Sequence, residues 1–248
     1  LEQDELYQGL HKLKVLIDLN SNFDLNEDWM QINQSYGTLL SYMSQGIADE
    51  QREIFHHQFI RNCYSLSFRA IRASQLKNDT SLYYSFLRKA EHENLSIESL
   101  IRKLKDNKQQ EFFLSVTGDK SQTVKLQNEH ESLMNDLFLF VWTSEEWSEN
   151  EVQLIDSLFR EKEFPDEDKL LLISAITLSL FVFLDARKLQ FIINLYQSGT
   201  VKTRIRTFFG LIFTLVFHQR ILHHFPLLMS EILSIQQNPH FVKDLTEL

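Results

Sequence analysis

A single cysteine, Cys63, stands in a chain of 248 residues. No internal disulfide can form, so nothing points to an oxidising compartment and a cytoplasmic location is the expectation. Glycine and proline are scarce too, at 6 and 3 residues. Tight strand hairpins depend on such residues, and stretches alternating apolar with polar positions are few, which disfavours a β architecture and leaves long helices with short connections. A basic excess is also missing: 25 Lys and Arg against 34 Asp and Glu give a net charge of −9. That balance argues against general affinity for nucleic acid or anionic lipid, since phosphate binding needs a basic surface. The short signatures of chemistry are absent as well. There is no Gly-x-Gly-x-x-Gly, no Gly-Lys-Ser/Thr phosphate loop, no Gly-x-Ser-x-Gly elbow and no His-Glu-x-x-His. No catalytic residue, cofactor or metal ligand is therefore assigned, and no carboxylate pair is singled out among many unplaced ones. No signal peptide is visible in the acidic, amphipathic first ten residues, and the lack of an initiating Met suggests one piece of a longer protein.

What the chain does have is apolar material, 43% of its residues, with 20 Phe among them. Such flat, bulky side chains fill space between helices. Two uncharged runs stand out, Leu170 to Leu184 and Thr207 to Phe217. Both fall short of the roughly 20 residues that cross a bilayer core, so buried helices are expected rather than membrane insertion. A related run, Leu137 to Val141, precedes them. Leu137-Phe138-Leu139-Phe140-Val141 recurs as Leu178-Ser179-Leu180-Phe181-Val182 and, more loosely, as Leu211-Ile212-Phe213-Thr214-Leu215-Val216. The copies lie about 41 and then about 34 residues apart, inside the range of helix-pair repeats. Each is followed by a second apolar-periodic helix: Glu149 to Glu161, Arg187 to Gln197, and Pro226 to Ile235.

Punctuation agrees with these limits. Ser148 with Glu151 forms a capping box, and Thr143 with Glu146 offers another. Pro165 followed by Asp166, Glu167 and Asp168 places a fixed φ and negative charge at a helix start. Gly199 suits a left-handed residue after a helix end, Pro226 a first turn, and Asn238-Pro239 a stop. The expected fold is all-α: antiparallel helix pairs stacked as an irregular α-solenoid. Residues 1–120 form a less regular N-terminal subdomain, with helices at about Asp4 to Leu19, Glu27 to Gln45, Asp49 to Leu76, Ser81 to His92 and Ile97 to Val116. Residues 121–248 carry the repeats, and Gly118 and Asp119 mark the boundary.

Two basic clusters are candidate partner-binding residues. On the helix from Asp49 to Leu76, Phe55, Phe59, Cys63, Leu66 and Ala70 share one side, widened by Ile60, Tyr64, Phe68 and Ile71. Cys63 is there a buried, inert thiol. The opposite face carries Arg61, Arg69 and Arg72 with no acidic residue. These arginines either grip carboxylates or phosphates of a partner or are neutralised by neighbouring helices. The second cluster, Lys202, Arg204 and Arg206, opens an apolar helix where cations oppose the dipole. It either contacts the acidic residues upstream, from Glu149 to Asp168, or docks an acidic peptide. The histidines, His56-His57, His218 and His223-His224 among them, lack the spacing of a helical metal site and are expected in packing or surface roles, His56 on the apolar face as a hydrogen-bonded core residue.

Trp29-x-x-Ile32-Asn33-x-x-Tyr36 resembles the opening of a tetratricopeptide repeat, with Asn33 where that family prefers Gly. Gln45, Asp49 and Arg52 then stand where its small and aromatic second-helix residues belong. The stretch from Leu39 to Arg88, with Tyr42-Met43, Gly46-Ile47, Arg52 and Ser81-Leu82-Tyr83-Tyr84, is similar to part of large bacterial helical proteins labelled tetratricopeptide-like. The C-terminal pairs look more like HEAT-type repeats. These resemblances imply a scaffold that binds a protein or peptide, and they carry over no catalytic residue. The alternative is an all-helical enzyme or small-ligand-binding domain with a site built from scattered residues, which a deep pocket lined by converging His, Glu or Arg would favour.

Overall fold

The computed structural model describes residues 2–20, 22–45, 50–117 and 120–246. The chain is all-α, with twelve α-helices and no strand among the described residues. They are α1 (Glu2–Asn20), α2 (Phe23–Ser44), α3 (Glu50–Leu76), α4 (Leu82–Glu93), α5 (Ile97–Thr117), α6 (Lys120–Thr143), α7 (Glu149–Arg160), α8 (Asp166–Val182), α9 (Ala186–Ser198), α10 (Val201–Phe217), α11 (Pro226–Gln236) and α12 (Pro239–Thr246). A short 3₁₀ turn, Leu222–His224, precedes α11. No helix among the described residues is long and apolar enough to cross a membrane. The boundary expected at Gly118 and Asp119 lies outside the described residues, as do Gly46, Ile47 and Asp49 of the tetratricopeptide resemblance.

The chain forms two compact units. One comprises Leu1–Tyr84 with His223–Pro226, the other Ser85–Leu222 with Leu227–Leu248. In the first, α1, α2 and α3 pack against one another. Their periodic apolar positions meet in one core of Leu10, Leu13, Ile17, Leu25, Ile32, Leu39, Phe59, Leu66 and Ala70. The residues that resemble a repeat opening face inward: Ile32 is buried, and Trp29 and Tyr36 pack on the core, Tyr36 stacking on Phe59. Asn20 ties α1 to α3 by donating to the Ala70 carbonyl at 3.0 Å. Ile71, expected on the apolar side of α3, is exposed.

In the second unit, α5 packs on α6, α6 on α8, and α8 on α10, while α7 touches α5 and α9, and α9 lies against α8 and α10. The three related apolar runs thus fall on α6, α8 and α10, in the order in which those helices neighbour one another. Ser148 caps α7 as expected, accepting from the Glu151 amide while Glu151 accepts from the Ser148 amide. Thr143 is not a second cap. It ends α6, and its hydroxyl donates to the Leu139 carbonyl. Pro165 precedes α8, whose first turn holds Asp166, Glu167 and Asp168.

Gly199 closes α9 but not in the left-handed conformation, since its φ is −79°. What selects glycine is crowding: a Cβ there would lie 2.8 Å from Thr203 Cγ2 and 2.5 Å from the Leu195 carbonyl oxygen. Among the described non-glycine residues, Asn94 is left-handed, with φ 50°, just past α4. Aromatic rings fill the space between helices, as the phenylalanine content implies. Phe191 meets Trp147 and Phe159 edge to face, and Tyr196, Phe208 and Phe241 form a second cluster.

Candidate functional site

Arg61, Arg69 and Arg72 of α3 are engaged within the first unit. Arg69 pairs with Asp28 of α2. Arg72 donates to the Tyr83 hydroxyl at 3.4 Å and lies over its ring. Arg61 bonds Gln58, donates to the His224 carbonyl at 3.1 Å and stacks over Phe225. Each of these three guanidinium groups has a partner near at hand, so their face is not a bare cationic stripe. Cys63 is half-buried against the core, and burial pushes its thiol up to about 12, which keeps it protonated and unreactive near neutrality.

Around Arg61 the first unit gathers histidines. His56 and His57 come from α3 and His224 from the segment His223–Pro226. His57 Nδ1 and His224 Nδ1 are 3.1 Å apart, and the ring of His56 lies 5.7 Å from that of His224. His223 stacks beside His224 at 3.8 Å between centroids. Burial, then the crowding of His223, His57, His56 and Arg61, pushes the His224 pKa down to about 4, so this ring is neutral at pH 7. His56 is half-buried rather than a core residue. No sequence pattern points to this meeting, because periodicity within a helix says nothing about a loop that returns from far along the chain.

The second unit presents an uncovered apolar face. In α10, Thr207, Phe208, Gly210, Leu211 and Thr214 point inward, leaving Ile205, Phe209, Phe213, Val216 and Phe217 outside on positions four, eight and twelve residues on from Ile205 and beside them. Phe209, Phe213 and Phe217 are 40%, 54% and 69% exposed. Their rings are linked: Phe209 stacks on Phe213, and Phe181 of α8 touches both Phe213 and Phe217 at 6.3 and 6.0 Å between centroids. Leu178 and Val182 of α8 extend the patch. The two apolar runs, expected to be buried, are therefore buried on one side only. Close approach explains why the helices meet so tightly: a Cβ on Gly210 would lie 2.6 Å from Thr177 Oγ1 of α8.

The second basic cluster lies at the start of that stripe. Lys202 is exposed. Arg206 donates through Nε and Nη2 to Ser174 of α8, at 3.0 and 2.7 Å. Arg204 meets Asp244 of α12 at 3.5 Å, a carboxylate downstream and not one of the acidic residues between Glu149 and Asp168. Asp244 also accepts from the Tyr196 hydroxyl at 2.9 Å.

Two further clusters carry titratable groups. His130 Nε2 and Asp168 Oδ2 are 2.7 Å apart beside a depression of about 330 Å³ lined also by Glu131, Asn135 and Phe138. That volume is at the small end of ligand pockets. The other is Lys188, 1% exposed, whose ammonium donates to the carbonyls of Ser144 and Glu145 and to Ser179 Oγ at 2.9, 2.8 and 2.7 Å. Asp185, 4.0 Å away, caps α9 and accepts from the Trp147 amide at 2.7 Å. Burial raises the Asp185 pKa, opposed by Lys188 and the three amides it accepts from. All three ammonium hydrogens are placed, so this lysine holds the 144–148 connection to α8 and α9. Comparison with protein-family models, curated proteins and solved structures finds no match to this chain.

Proposed function

We propose that the chain is a protein-binding module of the helical-repeat type, which holds a protein or peptide partner on the exposed face of α8 and α10. The stacked α-solenoid arrangement is part of this reading. It is supported by the order of neighbours α6, α8 and α10, each with one copy of the apolar run and each followed by a second helix. The observation that carries the function is the linked row Phe209, Phe213, Phe181 and Phe217. Exposed rings joined into one patch mark interaction sites, whereas singly scattered apolar residues do not. Lys202 and Arg206 at its start add selectivity for a partner whose apolar face ends in carboxylates.

The test is affinity capture with the wild-type chain followed by titration of the captured partner against variants. Phe213→Asp is expected to weaken binding by about 30-fold or more, the size of an interfacial hot spot. Phe112→Asp, the same change at another exposed ring, is expected to leave it unchanged. Equal binding by wild type and Phe213→Asp overturns the reading. A small-ligand site is the second reading, and the His130–Asp168 pair beside its depression is the observation that favours it. Under the first reading His130→Ala leaves partner binding intact.

A further inference from the structure

Among the described residues, one group of side chains is arranged as a metal-ligand set: His56, His57 and His224, whose ligating atoms all lie within 4.8 Å of one another. We propose that these three imidazoles form a binding site for a divalent transition-metal ion of the zinc class, with one coordination position left to water.

The geometry is specific. Zinc–nitrogen bonds of about 2.0–2.1 Å in a tetrahedral site place two ligand nitrogens about 3.3 Å apart. His57 Nδ1 and His224 Nδ1 already stand at 3.1 Å. A hydrogen bond between two imidazole nitrogens requires one of them to carry the proton. An ion between them instead takes both lone pairs, and the displaced proton moves to Nε2 of the same ring, so neither ring changes charge. His56, one residue from His57, closes the set by rotating its ring within the 4.8 Å already spanned.

Ligand chemistry fixes the class of ion. Three imidazoles without a carboxylate suit zinc, nickel, cobalt and copper, and offer magnesium or calcium no oxygen. Arg61, which donates to the His224 carbonyl, places a positive charge beside the site and lowers its affinity for any cation. Binding would join α3 to the segment His223–Pro226, both within the first unit. Three protein ligands leave one position open, the arrangement of sites that exchange water for another ligand.

The experiment uses the untagged full chain, stripped of metal by a chelator and titrated with Co²⁺. The expected result is one tightly bound equivalent with the strong visible absorption of four-coordinate cobalt, removed by equimolar Zn²⁺. His57→Gln and His224→Gln should each weaken binding at least tenfold, while His240→Gln, on α12, should not. Arg61→Met should tighten it. Because His224 is buried and its variant could unfold, Cu²⁺ bound to the wild-type chain supplies an independent readout: nitrogen hyperfine couplings should count three imidazoles. Fewer than three imidazoles, no tight equivalent, or undiminished binding by His57→Gln overturns the proposal.

Discussion

Lys188 is the residue at which burial and charge conflict most directly. A lone ammonium in a core costs several kcal/mol, and here the cost is offset by three acceptors, the Trp147 ring at 5.4 Å and Asp185. Taking away one partner of such a set is more damaging than never having had it. Lys188→Met keeps the stem and removes the charge, leaving the Ser144 and Glu145 carbonyls without their donor and Asp185 without its counterion. Urea unfolding should show a loss of about 3–5 kcal/mol. Adding Asp185→Asn should cost less than its effect in the wild-type background, since the charge it neutralises has already lost its partner. Additive losses would mean that Lys188 and Asp185 act separately. The sequence marked Arg187 only as the start of a helix and was silent on its neighbour, because a lysine on an otherwise apolar face reads as solvated until the loop that covers it is known.

At the scale of elements, helices were the legible part. The repeated runs fell on α6, α8 and α10, and the helices expected after them appear as α7, α9 and α11, with α7 opened by its Ser148 box. Local signals sufficed there, since capping and periodicity act within a few residues. Asn238-Pro239 does follow the end of α11, as a stop should, but α12 is not legible from it, because Pro239 opens a helix as readily as it ends one. The sidedness of α8 and α10 was not legible either. An apolar run without polar positions carries no phase, so nothing in it says which side meets a neighbour. Gly210 lies on the buried side and lets α10 approach Thr177 of α8 closely. Gly210→Leu should force the two helices apart and cost about 1–3 kcal/mol, the range for overpacking, with retained helical circular dichroism. A neutral effect would show that α8 and α10 have room to spare.

At the scale of the whole molecule, what decides is which distant segments meet. His57 and His224 are separated by 167 positions, and no pattern in one helix could pair them. Lys202 and Arg206, by contrast, stand out locally as a basic cluster at the start of an apolar helix, yet their neighbours, Ser174 and the aromatic stripe, depend on the packing of α8 on α10. Long-range meeting also sets the response to acid. His218, after α10, bonds the Leu180 carbonyl of α8, and burial lowers its pKa below the ordinary 6.5 even though that bond favours the protonated ring. The unfolded chain therefore takes up a proton near pH 6.5 that the folded one resists. This contribution to stability is fully present above 6.5 and is lost as pH falls toward the lower folded value. Asp185 works in the opposite sense: its folded pKa lies above 3.8, so protonating it on acidification favours the folded state. Urea midpoints measured from about pH 7 to about pH 5.5 should thus fall, with His224 of the first unit, pushed down to about 4, and His218 of the second both contributing. His218→Gln keeps a donor for the Leu180 carbonyl but cannot titrate, so it should flatten the slope of the second unit's unfolding. An unchanged slope would place the acid sensitivity in other groups.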